Sequence, residues 1–111
     1  MTTNNSIDRY VLQYNAYSGN DADYIARISL YNQGQDVGTI DFYKEGQSIP
    51  INTELPGKFP GTMHVYLRMY ENQLDRVVDM LRCEKPNAVI YDSATLAYVT
   101  TGVEPIGEEE S

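Results

Sequence analysis

His64 is the only histidine in the 111-residue sequence. Beside a carboxylate it could act as a general base near neutral pH. Asp41 is the candidate partner, provided that the strands carrying the two residues adjoin. The other reading of a lone strand histidine is a structural or merely exposed side chain. Cys83 is the only cysteine, so the chain forms no internal disulfide. It falls at the end of a helix, where the dipole disfavours a thiolate and Arg82 and Lys85 partly offset that. It therefore reads as a buried or inert thiol.

With one His and one Cys, no zinc site of the usual ligand number can be built. Asp21 and Asp23 have the spacing of a calcium loop, but its glycine and distal Glu are missing. Gly57-Lys58 lacks the upstream glycine and the following Ser/Thr of a phosphate loop. Neither a nucleophile elbow nor a dinucleotide glycine fingerprint is present. These residues name no reaction, and no cofactor or metal is expected.

The elements that must position His64 centre on the stretch from Gly61 to Pro86. Met63, Val65, Leu67 and Met69 alternate with His64, Tyr66, Arg68 and Tyr70, the period of a half-buried strand. Leu74, Val77, Val78 and Leu81 then follow the i, i+3, i+4, i+7 stripe of a helix. The pattern predicts a strand feeding one short helix. One long helix is the competing reading, and the run His-Val-Tyr speaks against it. Asn72 is a candidate N-cap with Asp75 three residues on, and Pro86 ends the helix. A helix of about 11 residues is about 17 Å long, too short to stand alone in water, so its stripe must lie on a sheet.

Upstream, alternation predicts strands near Asp8 to Tyr17, Asp23 to Tyr31 and Asp36 to Lys44. The turn signals between them are Ser18-Gly19-Asn20-Asp21 and Asn32-Gln33-Gly34-Gln35. Tyr24, Ala26, Ile28 and Leu30 share one parity. Ile28 and Leu30 must share a face with Ile40 and Phe42, which puts Arg27 opposite Asp41 if the turn centres on Gly34. Glu45 to Gly61, with Pro50, Pro56 and Pro60, reads as a packed crossover or a ligand lid, and Ile49 to Asn52 could extend an edge strand. Asn87 to Tyr91 and Leu96 to Thr101 form a closing hairpin. The expected fold is α+β: a mostly antiparallel, twisted sheet of five or six strands (β-β-β-β-α-β-β) with one helix on one face. A single domain over residues 1–111 is expected, with a frayed end at 1–6 and an acidic flexible tail at 103–111.

The net charge is −8, and the four Glu from Glu104 to Ser111 leave −4 for the rest. Such a surface argues against nucleic acid and anionic membranes as partners. The opening MTTNNSIDRY has neither the basic nor the apolar segment of a secretory leader, and no apolar run is long enough to span a membrane. A cytoplasmic protein is expected.

Ten Tyr, two Phe and no Trp suit half-exposed sheet faces more than a deep core. Tyr17, Arg27, Tyr31, Tyr43, His64, Tyr66, Arg68 and Tyr70 could all project from the outward face. Strand propensity alone could put tyrosines there. The functional reading is a binding face, with Tyr43, Tyr66, Arg68, Arg27 and Tyr31 as candidates, since Tyr and Arg are enriched at hot spots. The leading expectation is a non-enzymatic binding or interaction module that forms a homodimer through this face or the exposed side of the helix. The alternative is a small enzyme or small-molecule binder with a pocket between the sheet and residues 45–61, using His64. A further alternative is a single-stranded nucleic-acid binder, with bases stacked on the aromatic face.

LRCEKPNAVIYD, residues 81–92, and TTGVEPIGEEE, residues 100–110, resemble a pattern in small bacterial proteins of unknown function. These have an LRxEKP helix end, a hairpin and an EPxGExE tail. The resemblance covers about a third of the chain and implies a small bacterial α+β protein. It brings no catalytic residues with it.

Overall fold

At Asp8 the chain leaves one sheet and enters another. Strand β1 (Thr3–Ile7) lies on one side of it and β2 (Arg9–Tyr14) on the other. Asp8 fixes this corner twice: its N–H donates to Tyr31 O at 2.9 Å, and its carboxylate accepts from the N–H of Gln33 at 2.8 Å. The computed structural model describes residues 2–14, 24–46, 48–58, 61–85 and 87–101. Tyr17, the turn at 18–21, Asp21 and Asp23, and the acidic segment 103–111 lie outside the described residues.

The remaining elements are β3 (Ala26–Asn32), β4 (Gln35–Tyr43), β5 (Thr53–Pro56), β6 (Met63–Tyr70), a 3-10 turn at Glu71–Gln73, α1 (Leu74–Cys83), β7 (Asn87–Ser93) and β8 (Leu96–Thr101). They make a mixed α+β fold with mostly antiparallel sheet, as the alternation and the single helical stripe predict. No described helix is long and apolar enough to cross a membrane.

The single sheet expected from the sequence is two. Five strands run in the order β2-β3-β4-β6-β5 and three in the order β1-β7-β8. The split arises because residues 3–6, expected within a frayed end at 1–6, instead join Ile7 in a strand antiparallel to β7, Thr3 opposite Tyr91 and Ile7 opposite Asn87. Their polar sequence has a use: the Asn5 amide donates to Val37 O at 3.0 Å and Met63 O at 2.7 Å. A backbone acceptor on each side replaces the water that a frayed end would keep.

Within the larger sheet, β2-β3-β4 is the expected antiparallel meander. Gln33 and Gly34 turn it with φ of 54° and 80°, the two positive values of a tight hairpin turn. Arg27 pairs with Asp41 and Ile28 with Ile40, the register that hydrophobic alternation requires. β4 and β6 pair in parallel, with Thr39 opposite Tyr66 and Asp41 opposite Arg68. The segment between them must therefore cross over. Part of it, Thr53–Pro56, adds an edge strand antiparallel to β6, a few residues beyond the expected Ile49 to Asn52.

Alternation sends Ala26, Ile28, Leu30, Ile40, Phe42, Val65 and Leu67 to one face, all buried. Ile7 of β1, Val89 of β7 and Leu74, Val77 and Leu81 of α1 close on that face. Each such side chain contributes about 1.5–3 kcal/mol of burial. Gly38 lets the sheets approach: a Cβ there would meet Val65 O at 3.1 Å, Leu30 Cδ1 at 3.2 Å and Val89 Cγ1 at 3.3 Å.

The helix begins without the expected Asn72 cap. Asn72 is inside the 3-10 turn, because β6 runs extended through Tyr70 straight into it, and Gln73 precedes α1 with no side-chain cap. The C-terminal end is better satisfied. The Asn87 amide donates to Glu84 O at 2.7 Å and Leu81 O at 3.4 Å, meeting carbonyls left open by the end of the helix. Cys83 is exposed, which corrects the buried thiol reading: it is the last helical residue and faces away from the stripe of Leu74, Val77 and Leu81.

Candidate functional site

The same alternation that fills the core sends Arg27, Ser29 and Tyr31, then Thr39, Asp41 and Tyr43, then His64, Tyr66 and Arg68 to the other face of the five-stranded sheet. The candidates of the sequence reading thus come together on one surface. They do not stand free on it. The Arg27 guanidinium grips Asp41 bidentately, Nε to Oδ1 at 2.7 Å and Nη2 to Oδ2 at 3.2 Å. Asp41 raises the Arg27 pKa above its ordinary value, against partial desolvation.

Arg27 also lies over the Tyr24 ring, 4.4 Å from its centroid, and Tyr24 meets Tyr43 edge-on at 6.5 Å. Tyr24 is therefore a member of this face and not of the core to which its parity assigned it. It precedes the first ladder residue of β3, so strand alternation does not govern it. Tyr43 is only 3 % exposed. It supports the Tyr24–Arg27 stack and presents little surface of its own.

Arg68 is committed to the neighbouring edge. Its Nη1 donates to Ile51 O at 2.9 Å and to Thr53 Oγ1 at 3.0 Å, while its backbone N–H donates to Asn52 Oδ1 at 2.9 Å. Its guanidinium also covers Tyr66 at 5.5 Å. Toward the opposite edge of the sheet, at β2, Arg9 covers Tyr31 at 4.8 Å. Each cation–π contact found among the described residues is an Arg on a Tyr, and all belong to this face.

His64 and Asp41 do not form a pair. In the parallel register Asp41 stands opposite Arg68, and its oxygens are taken by Arg27. His64 is two residues before Tyr66, so it reaches Thr39, with Nε2 and Oγ1 2.8 Å apart. Its ring also tilts against Tyr66, 4.5 Å between centroids. Burial holds the imidazole below its usual pKa; Asp36 pulls it up and Arg27 pushes it down. The result is a neutral ring at pH 7, held by a hydroxyl and lacking the carboxylate that would orient it as a base.

A polar cleft of about 210 Å³ opens beside this imidazole, lined by Asp36, Lys58, His64 and Tyr66 with Pro56 and Gly57. It lies between the sheet and part of the 45–61 segment. Asp36 and Lys58 were missed as site residues because both are exposed charges, one near the start of β4 and one in the 45–61 segment, where spacing carries no signal. Thr39 was legible only as the parity neighbour of Asp41. Among the described residues no three His, Cys, Asp or Glu side chains gather as a metal site. The chain matches no protein-family model, no curated protein and no solved structure.

Proposed function

We propose that this protein is a non-enzymatic interaction module that pairs with a second copy through the outer face of its five-stranded sheet. The observation that carries the reading is the set of three Arg–Tyr stacks on that face: Arg9 on Tyr31, Arg27 on Tyr24 and Arg68 on Tyr66. Tyr and Arg supply large contact area, and stacking fixes their rotamers before a partner arrives. Asp41, buried under Arg27, adds little exposed negative charge to this face. A two-fold contact lays this patch on its own copy, matching rings with guanidinium edges.

Native mass spectrometry of the purified chain tests this. A dimer without added mass is expected. Tyr31→Ser with Tyr66→Ser should weaken it about tenfold or more, as hot-spot truncation does. A wild-type monomer at every concentration overturns the reading.

The cleft beside His64 supports a second reading, a small-molecule site using His64 with Asp36 and Lys58. Its polar lining suits a small charged or hydroxylated compound. A wild-type monomer carrying an adduct, lost in His64→Gln, favours this reading. An unaltered dimer in His64→Gln favours the interaction module.

A further inference from the structure

A larger cavity, of about 710 Å³, opens where the C-terminal end of α1 faces the bend between β1 and β2. That is the size of a small-molecule site. Ile7, Tyr10 and Leu81 give it an apolar lining, and Arg9, Arg82 and Lys85 stand around it. Three of the eight Lys and Arg in a chain of net charge −8 thus converge on one opening. The carboxylate among its lining residues, Asp8, accepts the Gln33 N–H at 2.8 Å and holds the strand corner. Arg82 pairs with Asp79 at 3.2 Å on the surface, where solvent screens the contact. Lys85 is exposed and has no ion pair among the described residues.

Asn87 adds a second, independent feature. It lines the cavity and is 6 % exposed. Its amide nitrogen is committed to Glu84 O and Leu81 O, which fixes the amide orientation. Its Oδ1 is buried and accepts no hydrogen bond. A buried acceptor without a donor costs on the order of 1–3 kcal/mol, which a donor group on an occupant would relieve.

We propose that this cavity binds a small amphipathic hydroxy acid, whose hydroxyl donates to Asn87 Oδ1. The apolar body lies on Ile7, Tyr10 and Leu81, and the carboxylate lies among Arg9, Arg82 and Lys85. A surface otherwise acidic disfavours anions elsewhere, so the rim selects by charge and the floor by apolar area. The site shares Arg9 with the Arg–Tyr face, where it covers Tyr31, but uses none of Arg27, Tyr66 or Arg68, and Arg82 and Lys85 stand at its rim whether or not the chain dimerises.

The test is a titration of the nitrogen-15-labelled protein with 2-hydroxyoctanoate, followed by amide shifts. Protonated 1-amino-2-octanol serves as the control of opposite charge. Saturable shifts centred on Ile7, Tyr10, Leu81 and Asn87 are expected, with little response to the amine. Octanoate, which has no donor for Asn87 Oδ1, should bind more weakly. Arg82→Glu with Lys85→Glu should weaken 2-hydroxyoctanoate by about tenfold or more. Both substitutions are on exposed side chains, and dispersed amide signals would verify the fold. Absence of shifts at millimolar 2-hydroxyoctanoate, shifts centred elsewhere, equal binding of the amine or of octanoate, or unchanged affinity in the folded double variant would each overturn the proposal.

Discussion

Arg27 and Asp41 face each other across β3 and β4 and close a bidentate ion pair at 2.7 and 3.2 Å. The pair is asymmetric: the Arg27 side chain is 35 % exposed and that of Asp41 only 6 %. Loss of the arginine therefore strands a nearly buried carboxylate, while the arginine alone could return to water. Arg27→Leu should lower stability by about 2–4 kcal/mol, read as a fall in urea midpoint at unchanged slope. Arg27→Lys should recover only part of this, since an ammonium cannot make the two parallel bonds. A Leu variant as stable as the wild type would mean that Asp41 finds another donor.

Stability should depend on pH through His64. Burial depresses the folded-state pKa of its imidazole. The unfolded chain then takes up the proton more readily, with a pKa of about 6.5. The contribution of the neutral ring is fully present above the unfolded pKa. It is lost progressively as pH falls below that value, and levels off beneath the folded pKa. Asp36 and Arg27 act on this ring by charge and Tyr66 by contact, so the comparison must be with His64→Gln, which can keep a bond to Thr39. Urea unfolding between pH 5 and 8 should show a steeper acid-side loss in the wild type than in the variant. Parallel curves would remove His64 from the pH dependence.

Gly38 is where β4 passes closest to the second sheet. A methyl there meets a ladder carbonyl, Val65 O, as well as Leu30 and Val89. The side chains can shift, but the carbonyl belongs to the β4–β6 pairing and cannot. Gly38→Ala should cost about 1–3 kcal/mol of overpacking, and Gly38→Val more. Thermal unfolding checks the order wild type, Ala, Val. An Ala variant of equal or higher melting temperature would show that the sheets separate without penalty.

What was legible in the sequence was whatever follows from local period. Ile28, Leu30, Ile40 and Phe42 leave one hairpin register, and that register alone puts Arg27 beside Asp41. Leu74, Val77 and Leu81 could belong only to a helix on a sheet. The non-local arrangement was hidden. Nothing in TNNSI announces a strand, because its partner is β7, eighty or more residues away, and its polar Asn5 donates to the distant Val37 and Met63 carbonyls. The partner of His64 depended on the parallel register of β4 and β6, which no turn fixes. A shift of two residues along β4 decides between Thr39 and Asp41. Of the Arg–Tyr face, Arg27, Tyr31, Tyr66 and Arg68 were legible as outward residues, whereas Arg9 and Tyr24 were not, nor was the self-paired layer in which Arg68 already serves a neighbouring strand.

That service can be tested. Arg68 ties the edge of the sheet through Ile51 O and Thr53 Oγ1, and Asn52 links its backbone to Ala94 O of the β7–β8 turn at 3.0 Å. β5 is only four residues long and ends at Pro56, so its own ladder is weak. Its hold on the sheet therefore depends on these side-chain bonds. Arg68→Met keeps the aliphatic stem over Tyr66 but removes both guanidinium bonds. Amide exchange at Thr53 and Leu55 should then accelerate by about tenfold or more, with global stability falling by only about 1 kcal/mol. Arg68→Lys should fall between, because one ammonium can reach a single acceptor well. Unchanged exchange in the Met variant would show that β5 is held by its ladder to β6 and that Arg68 is free to serve a partner.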